Sequence, residues 1–279
     1  MNRLRGLPPA AVGVLGTIVA IALWWIAAET VFARVGVSPD GSGGAVPNPF
    51  EVVQKLITDG VEFYARNGAI TLTEAGAGFL FGNLAALLVA ALVLVIPALE
   101  NVATQVAIIS YCIPIVAIGP IIRLVLGDPE AGDPSATAIF LAGMSVFFTT
   151  VVGALVGLKA ADRASLDIVA VYGGGRLKQL VMVRLIAALP GILNALRIAA
   201  PAAFLGAILG EFLGGVDIGF GPALVNAQQG LEVERAWGIA LISGLIAGAA
   251  YALIGLIARF ITPWSSGRAV ARRTAGAAS

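Results

Sequence analysis

The chain has 279 residues, 59% of them hydrophobic and 12% charged, with a mean hydropathy of +0.96 and a formal net charge of +1. Soluble domains carry about 25% charged residues, so this composition excludes an ordinary soluble enzyme and describes an integral membrane protein. Histidine is absent, which removes Ser-His-Asp catalysis and His-metal sites, and the single Cys112 excludes a disulfide framework.

A membrane crossing takes about 20 mostly apolar residues. The pattern predicts six crossings, at about residues 10–33, 76–97, 102–126, 137–158, 190–213 and 236–261. Residues 1–9 form a short N-terminal segment with Arg3 and Arg5. The first apolar run is longer than the core of a signal peptide and no small-residue cleavage site stands out, so it is expected to be retained. Residues 34–75 make an outer segment: a Gly/Pro/Ser loop over 38–49, then "FEVVQKLITDGVEFYA" (50–65), whose apolar spacing predicts a short amphipathic helix. Residues 76–264 form the core, and 265–279 a basic tail.

Lys and Arg accumulate on the cytoplasmic side of membrane proteins. With the N-terminus inside, eleven fall in inner segments (Arg3, Arg5, Lys159, Arg163, Arg176, Lys178, Arg184, Arg259, Arg268, Arg272, Arg273) and four outside (Arg34, Lys55, Arg66, Arg235). Arg123 and Arg197 fall within crossings. Both termini are therefore expected in the cytoplasm of a bacterial cell, with the protein in the plasma membrane.

The segment 159–189 is then cytoplasmic. "RASLDIVAVY" and "RLKQLVMVRLIAA" read as two short helices around Gly173, Gly174 and Gly175, and Pro190 is suited to open the next crossing. By itself this is either an ordinary helical loop or a device held by a partner.

It resembles the cytoplasmic "EAA" loop of ABC-importer permeases. Asp167 stands in the acidic place, Gly173 in the glycine place and Pro190 in the proline place. Ile168 and Val169 replace the usual alanines, and Ile186 stands where a first proline is common. Further stretches resemble the nitrate/sulfonate/taurine branch: "VPNPFEVVQKL", "GFLFGNLAALLVA", "IPIVAIGPIIRLVLG" with Pro114, Pro120 and Gly127, and "LGEFLGGVDIGFGPALVNAQQ" with Glu211, Gly219, Gly221 and Gln228. The resemblance runs over about residues 46–264.

It implies an all-α, six-helix, type I (MetI-like) ABC-importer permease fold with a cytoplasmic coupling helix. Asp167, Tyr172, Gly173, Gly174, Gly175, Arg176 and Pro190 would couple to the ATPase. It also implies two cytoplasmic ABC ATPase subunits, a second permease copy or paralogue and an external solute-binding protein as partners, and no nucleic acid. The branch implies a sulfonate-, nitrate- or taurine-like anion as cargo; a pyrimidine-type thiamine precursor or an aromatic acid is the alternative. No G-x-x-x-x-G-K-[ST] occurs, so the chain is expected to bind no cofactor itself, with ATP and Mg held by the partner ATPase. An ion-coupled secondary transporter is the rival class, against which stand the lack of an inverted repeat and of a central carboxylate cluster.

The pathway or gate candidates are Pro114, Pro120, Arg123, Arg197 and Glu211. The two prolines mark either an unwound, cavity-lining stretch or a packing kink. Arg123 and Glu29 sit near crossing ends and can snorkel outward. Arg197 could reach the inner surface or pair with Asp167, and Glu211 could be a structural cap or part of a gate.

Overall fold

The computed structural model describes residues 9–36 and 44–265. Most of the N-terminal segment 1–9, part of the loop 38–49 and all but the first residue of the tail 265–279 lie outside the described residues. Among the described residues the regular elements are all helices: α1 (Pro9–Glu29), α2 (Pro49–Val95), α3 (Glu100–Cys112), α4 (Ile115–Leu126), α5 (Ala136–Leu158), α6 (Arg163–Val171), α7 (Arg176–Gln179), α8 (Leu185–Leu213), α9 (Phe220–Gln229) and α10 (Val233–Ile261). A 3₁₀ turn, Pro97–Leu99, precedes α3, and a π-turn, Leu180–Arg184, joins α7 to α8.

Among the described residues, five helices are long and apolar enough to cross a membrane, and a sixth crossing is counted when the bent pair Pro97–Cys112 and Ile115–Leu126 is taken as one. Five of the six expected crossings are thus present as single helices and the remaining one only as the bent pair, and four details differ from expectation. First, α1 ends at Glu29, four residues short of the expected end. Second, the outer helix ends earlier than residue 65: α2 is two helices meeting at a kink at Gly60, where φ is +76° and ψ +161°, and the second of them runs on to Val95. Third, the third crossing is broken by 94° between α3 and α4. Pro114 follows Ile113, and a residue before proline is pushed out of the α region; Ile113 has φ −69° and ψ +122°. Pro120 lies inside α4 without breaking it. Fourth, Pro190 does not open a crossing: it lies inside α8.

Two compact units divide the chain: residues 1–66 with 223–243, and residues 67–222 with 244–279. In the first, Asn48 and Glu51 cap α2 reciprocally. The Asn48 amide donates to Glu51 Oε2 and the Glu51 amide to Asn48 Oδ1, both at 2.9 Å. Pro49 follows at the first helical position, where its missing N–H is not needed. Asn48 Nδ2 also donates to Glu29 Oε1 at 3.1 Å, so Glu29 is tied to the start of α2. Trp24 and Trp237 stack at 5.2 Å. Asp59 receives Arg235 Nη2 at 2.7 Å and Lys55 Nζ at 3.1 Å.

The second unit is centred on α5 and α8. They approach closely because small residues face each other along the seam, the usual device for helix association in lipid. A Cβ on Gly157 would lie 2.9 Å from the Ala188 carbonyl oxygen, and one on Gly206 2.9 Å from Ala142 Cα. The later part of α2 packs on α5 in the same way, with a Cβ on Gly78 falling 2.7 Å from the Ile139 carbonyl. A polar contact crosses that seam: Thr150 Oγ1 donates to Asn83 Oδ1 at 2.5 Å, and Asn83 Nδ2 to the Phe79 carbonyl at 2.7 Å.

Candidate functional site

The segment 159–190 is built around one corner. Helix α6 ends with Tyr172 as its cap, and Gly173 follows with φ +75°, a left-handed conformation that glycine adopts without strain. The Gly173 amide donates to the Ala170 carbonyl at 2.9 Å and the Gly174 amide to the Val169 carbonyl at 2.8 Å. This pair is a Schellman motif, which satisfies the last carbonyls of a helix while turning the chain away. Gly174 must also be small, because a Cβ there would lie 2.7 Å from the Val169 carbonyl oxygen. Across the corner, Gln179 Nε2 donates to the Leu166 carbonyl at 3.2 Å and fastens the two arms.

From Arg176 the chain stays helical through the π-turn into α8 and on to Leu213. The short surface helix and the crossing are one rod, not two elements meeting at Pro190. Tyr172, Val171 and Leu177 are exposed on this segment. Asp167 is exposed as well and makes no ion pair with Arg197. Gly175 has open space around it, and Arg176 begins α7.

A second site is buried. Glu74 of α2 and Glu211 of α8 are 0% and 2% exposed, and their carboxyl groups meet. Glu74 Oε1 accepts the Ser135 amide at 2.6 Å, at the start of α5. Glu211 Oε2 accepts the Gly221 amide at 2.5 Å. Thr71 Oγ1 accepts the Phe220 amide and Asn67 Oδ1 the Gly219 amide, both at 3.0 Å. Three consecutive amides at the start of α9, those of Gly219, Phe220 and Gly221, are therefore held by side chains of α2 and α8. Gly219 has no room for a side chain, since a Cβ would fall 2.6 Å from the Glu211 carboxyl carbon. Phe220 is fully buried against Gly68 and sits edge-on to Phe204, with centroids 6.3 Å apart. Glu74 Oε2 and Glu211 Oε1 are buried and have no hydrogen-bond partner.

Arg123 lies in the last turn of α4 and pairs with Asp128, Nε to Oδ1 at 2.5 Å. The hydrogen bond and charge of Arg123 hold the Asp128 carboxyl below the usual carboxylate range. The guanidinium lies under Gly215, where φ is +66° and a Cβ would sit 2.5 Å from Arg123 Cζ. Pro114 caps the start of α4. Arg197 is placed elsewhere: its Cζ lies 4.0 Å over the Tyr251 ring. The structure thus brings Glu211 to Glu74 and leaves Arg123 and Arg197 in separate surroundings. Thr71, Asn67, Asn83 and Thr150 were not singled out from the sequence; Asn83 beside the glycine-spaced face of α2 was the available signal.

A family model described as "Binding-protein-dependent transport system inner membrane component" matches residues 62–269. The chain belongs to this family of transport permeases, and is a multi-pass membrane protein. It is 31% identical over 220 residues, 78% of this chain and 86% of the relative, to a "Probable ABC transporter permease protein" of Haemophilus influenzae. It is 30% identical over 169 residues, 60% of each chain, to the "Riboflavin transport system permease protein RibX" of Chloroflexus aurantiacus. With the "Putative aliphatic sulfonates transport permease protein SsuC" of Bacillus subtilis it shares 24% identity over 263 residues, 90% of this chain and 87% of the relative. Among solved structures, a chain of the inward-facing MetNI methionine ABC transporter superposes with a TM-score of 0.60 at 18% identity, covering 72% of this chain and 97% of that one. The fold is therefore the type I, MetI-like permease fold.

Proposed function

We propose that this chain forms half of the pore of an ATP-driven importer and that its segment 159–190 receives the movement of a cytoplasmic ATPase. The observation that carries the reading is the corner at Gly173, with exposed Val171, Tyr172 and Leu177 around it, on a rod that continues unbroken into α8. Apolar side chains exposed on a charged segment suit a protein partner. Two ATPase subunits, which hold ATP and Mg, a second permease copy or paralogue and an external binding protein complete the assembly in this reading. Both termini and the corner face the cytoplasm, on the strength of the Lys/Arg distribution.

The test is Gly173→Leu in the reconstituted complex. The space around Gly173 is open, so the substitution adds backbone strain without a clash. Membrane insertion should persist while substrate-stimulated ATP hydrolysis is lost. Normal coupled hydrolysis in this variant would falsify the assignment.

The cargo proposed is a small sulfonate-like anion, supported by the similarity to the sulfonate permease. Uptake of methanesulfonate with the cognate binding protein tests it, and a binding protein holding only a neutral or cationic ligand overturns it. The second reading, a heteroaromatic cargo, is favoured by the similarity to the riboflavin permease.

A further inference from the structure

We propose that the cavity between the first half of α8 and the end of α10 is an oxyanion site, recognising a phosphate- or sulfonate-type group. The cavity has a volume of about 310 Å³, and Asn194, Arg197, Gly255, Arg259, Thr262 and Ser265 are among its lining residues. That volume lies at the small end of ligand pockets, near 300 Å³.

Its cations have no counter-charge. Among the described residues, no ion pair involves Arg197 or Arg259. The nearest acid after Arg197 in α8 is Glu211, fourteen residues and about 21 Å further along the helix. The nearest acid before Arg259 in α10 is Glu234, 25 residues and about 37 Å away. The sequence beyond Arg259 contains no acid at all, only Arg268, Arg272 and Arg273 among charged residues. The charge facing this cavity is therefore to be met from outside the two helices.

The Arg197 side chain is held in place for this. Gly255 opens the space its guanidinium fills, because a Cβ there would lie 2.7 Å from Nε and 2.8 Å from Cζ. One face lies over Tyr251, Nε is packed against Gly255, and no hydrogen bond or ion pair occupies the guanidinium among the described residues. Arg197 Nε is buried and has no hydrogen-bond partner. The hydroxyls are already committed: Thr262 donates to the Ala258 carbonyl and Ser265 to the Thr262 carbonyl, each at 2.8 Å. The free donors are thus the two guanidiniums and the Asn194 amide, a set suited to tetrahedral oxyanions.

Two sources carry this chemistry. One is the headgroup of an anionic phospholipid, as basic pockets between membrane helices bind such headgroups. The other is a free anion. Which leaflet the pocket meets rests on the orientation proposed above; the anion chemistry does not.

The experiment uses the purified full chain and its Arg197→Gln/Arg259→Gln variant. In one arm, native mass spectrometry follows retention of phosphatidylglycerol against phosphatidylcholine. In the other, thermal melting follows added methanesulfonate and inorganic phosphate. The wild type should bind an anion about tenfold or more tightly than the variant, as expected for lost charge-assisted bonds. Selective retention of phosphatidylglycerol assigns the site to a headgroup; a response to the free anions alone assigns it to a soluble anion. If the double variant folds poorly, Arg259→Gln alone, at an exposed position, should still weaken binding severalfold. Wild type and variants that are indistinguishable in both arms overturn the proposal. Labelling of Ser265→Cys, in a chain whose native Cys112 is replaced by serine, from either side of sealed vesicles reads the orientation separately.

Discussion

Replacing Glu211 by alanine should release the run 214–221 from its seat. In the structure Glu211 holds the Gly221 amide at 2.5 Å and faces the Glu74 carboxyl. The alanine leaves the Gly221 amide without its acceptor, at a site where Glu211 is 2% exposed. An unsatisfied buried polar group costs roughly 1–3 kcal/mol. At about 1.4 kcal/mol per factor of ten, the undocked population should rise by at least about fivefold. Glu211→Gln keeps an acceptor and the volume; it should change that population by less than about twofold. The assay is alkylation of Val216→Cys by N-ethylmaleimide, with the single native Cys112 replaced by serine. Val216 is 7% exposed, so its modification reports opening of the run. Labelling of the alanine variant at the unsubstituted rate would refute the reasoning, as would equal acceleration by alanine and glutamine.

The seam between α5 and α8 should reject volume: Gly157→Leu, aimed at the Ala188 carbonyl, should lose about 1–3 kcal/mol or more in denaturant titration, whereas Gly248→Leu, with open space around it, should be tolerated. Asn83→Ala removes the acceptor of the buried Thr150 hydroxyl and should lower stability by about 1 kcal/mol, near the average for hydrogen bonds between membrane helices; no change in the unfolding midpoint would contradict it. Arg235→Ala strips Asp59 of its bidentate partner but leaves Lys55, so a loss of about 1–3 kcal/mol is expected, and Arg235→Lys should recover part of it. The isolated chain should neither bind nor hydrolyse ATP, checked by equilibrium dialysis with the nucleotide.

Element number and type were legible because each crossing is a long apolar run, and a run of that length has one stable form in lipid. Breaks within runs were less so. Pro114, Pro120, Pro190 and Pro201 look alike in the sequence, yet only Pro114 accompanies a bend between helices, while the other three lie inside them. Neighbouring helices decide which carbonyl left free by a proline can be accommodated, and a local pattern does not report that. The corner at Gly173 could be read because three glycines in a row point to a backbone constraint wherever the chain goes. The carboxyl site could not. Glu74 and Glu211 were each visible as acids in apolar surroundings, but their meeting depends on how α2 and α8 pack, and the amides they hold come from a third segment.

The same distinction separates the two arginines once taken together as the cations within crossings. Arg123 has its counter-charge five residues away, in the acidic turn that follows α4, and its guanidinium lies against Gly215. Its charge is answered locally. Arg197 lies on a helix with no acid for about four turns beyond it, and no hydrogen bond or ion pair occupies its guanidinium among the described residues. Residue type and depth made the two equivalent; only the position of the nearest carboxylate distinguishes a structural arginine from one available to an anion. In a protein with 12% charged residues, the unanswered charge is the more informative feature.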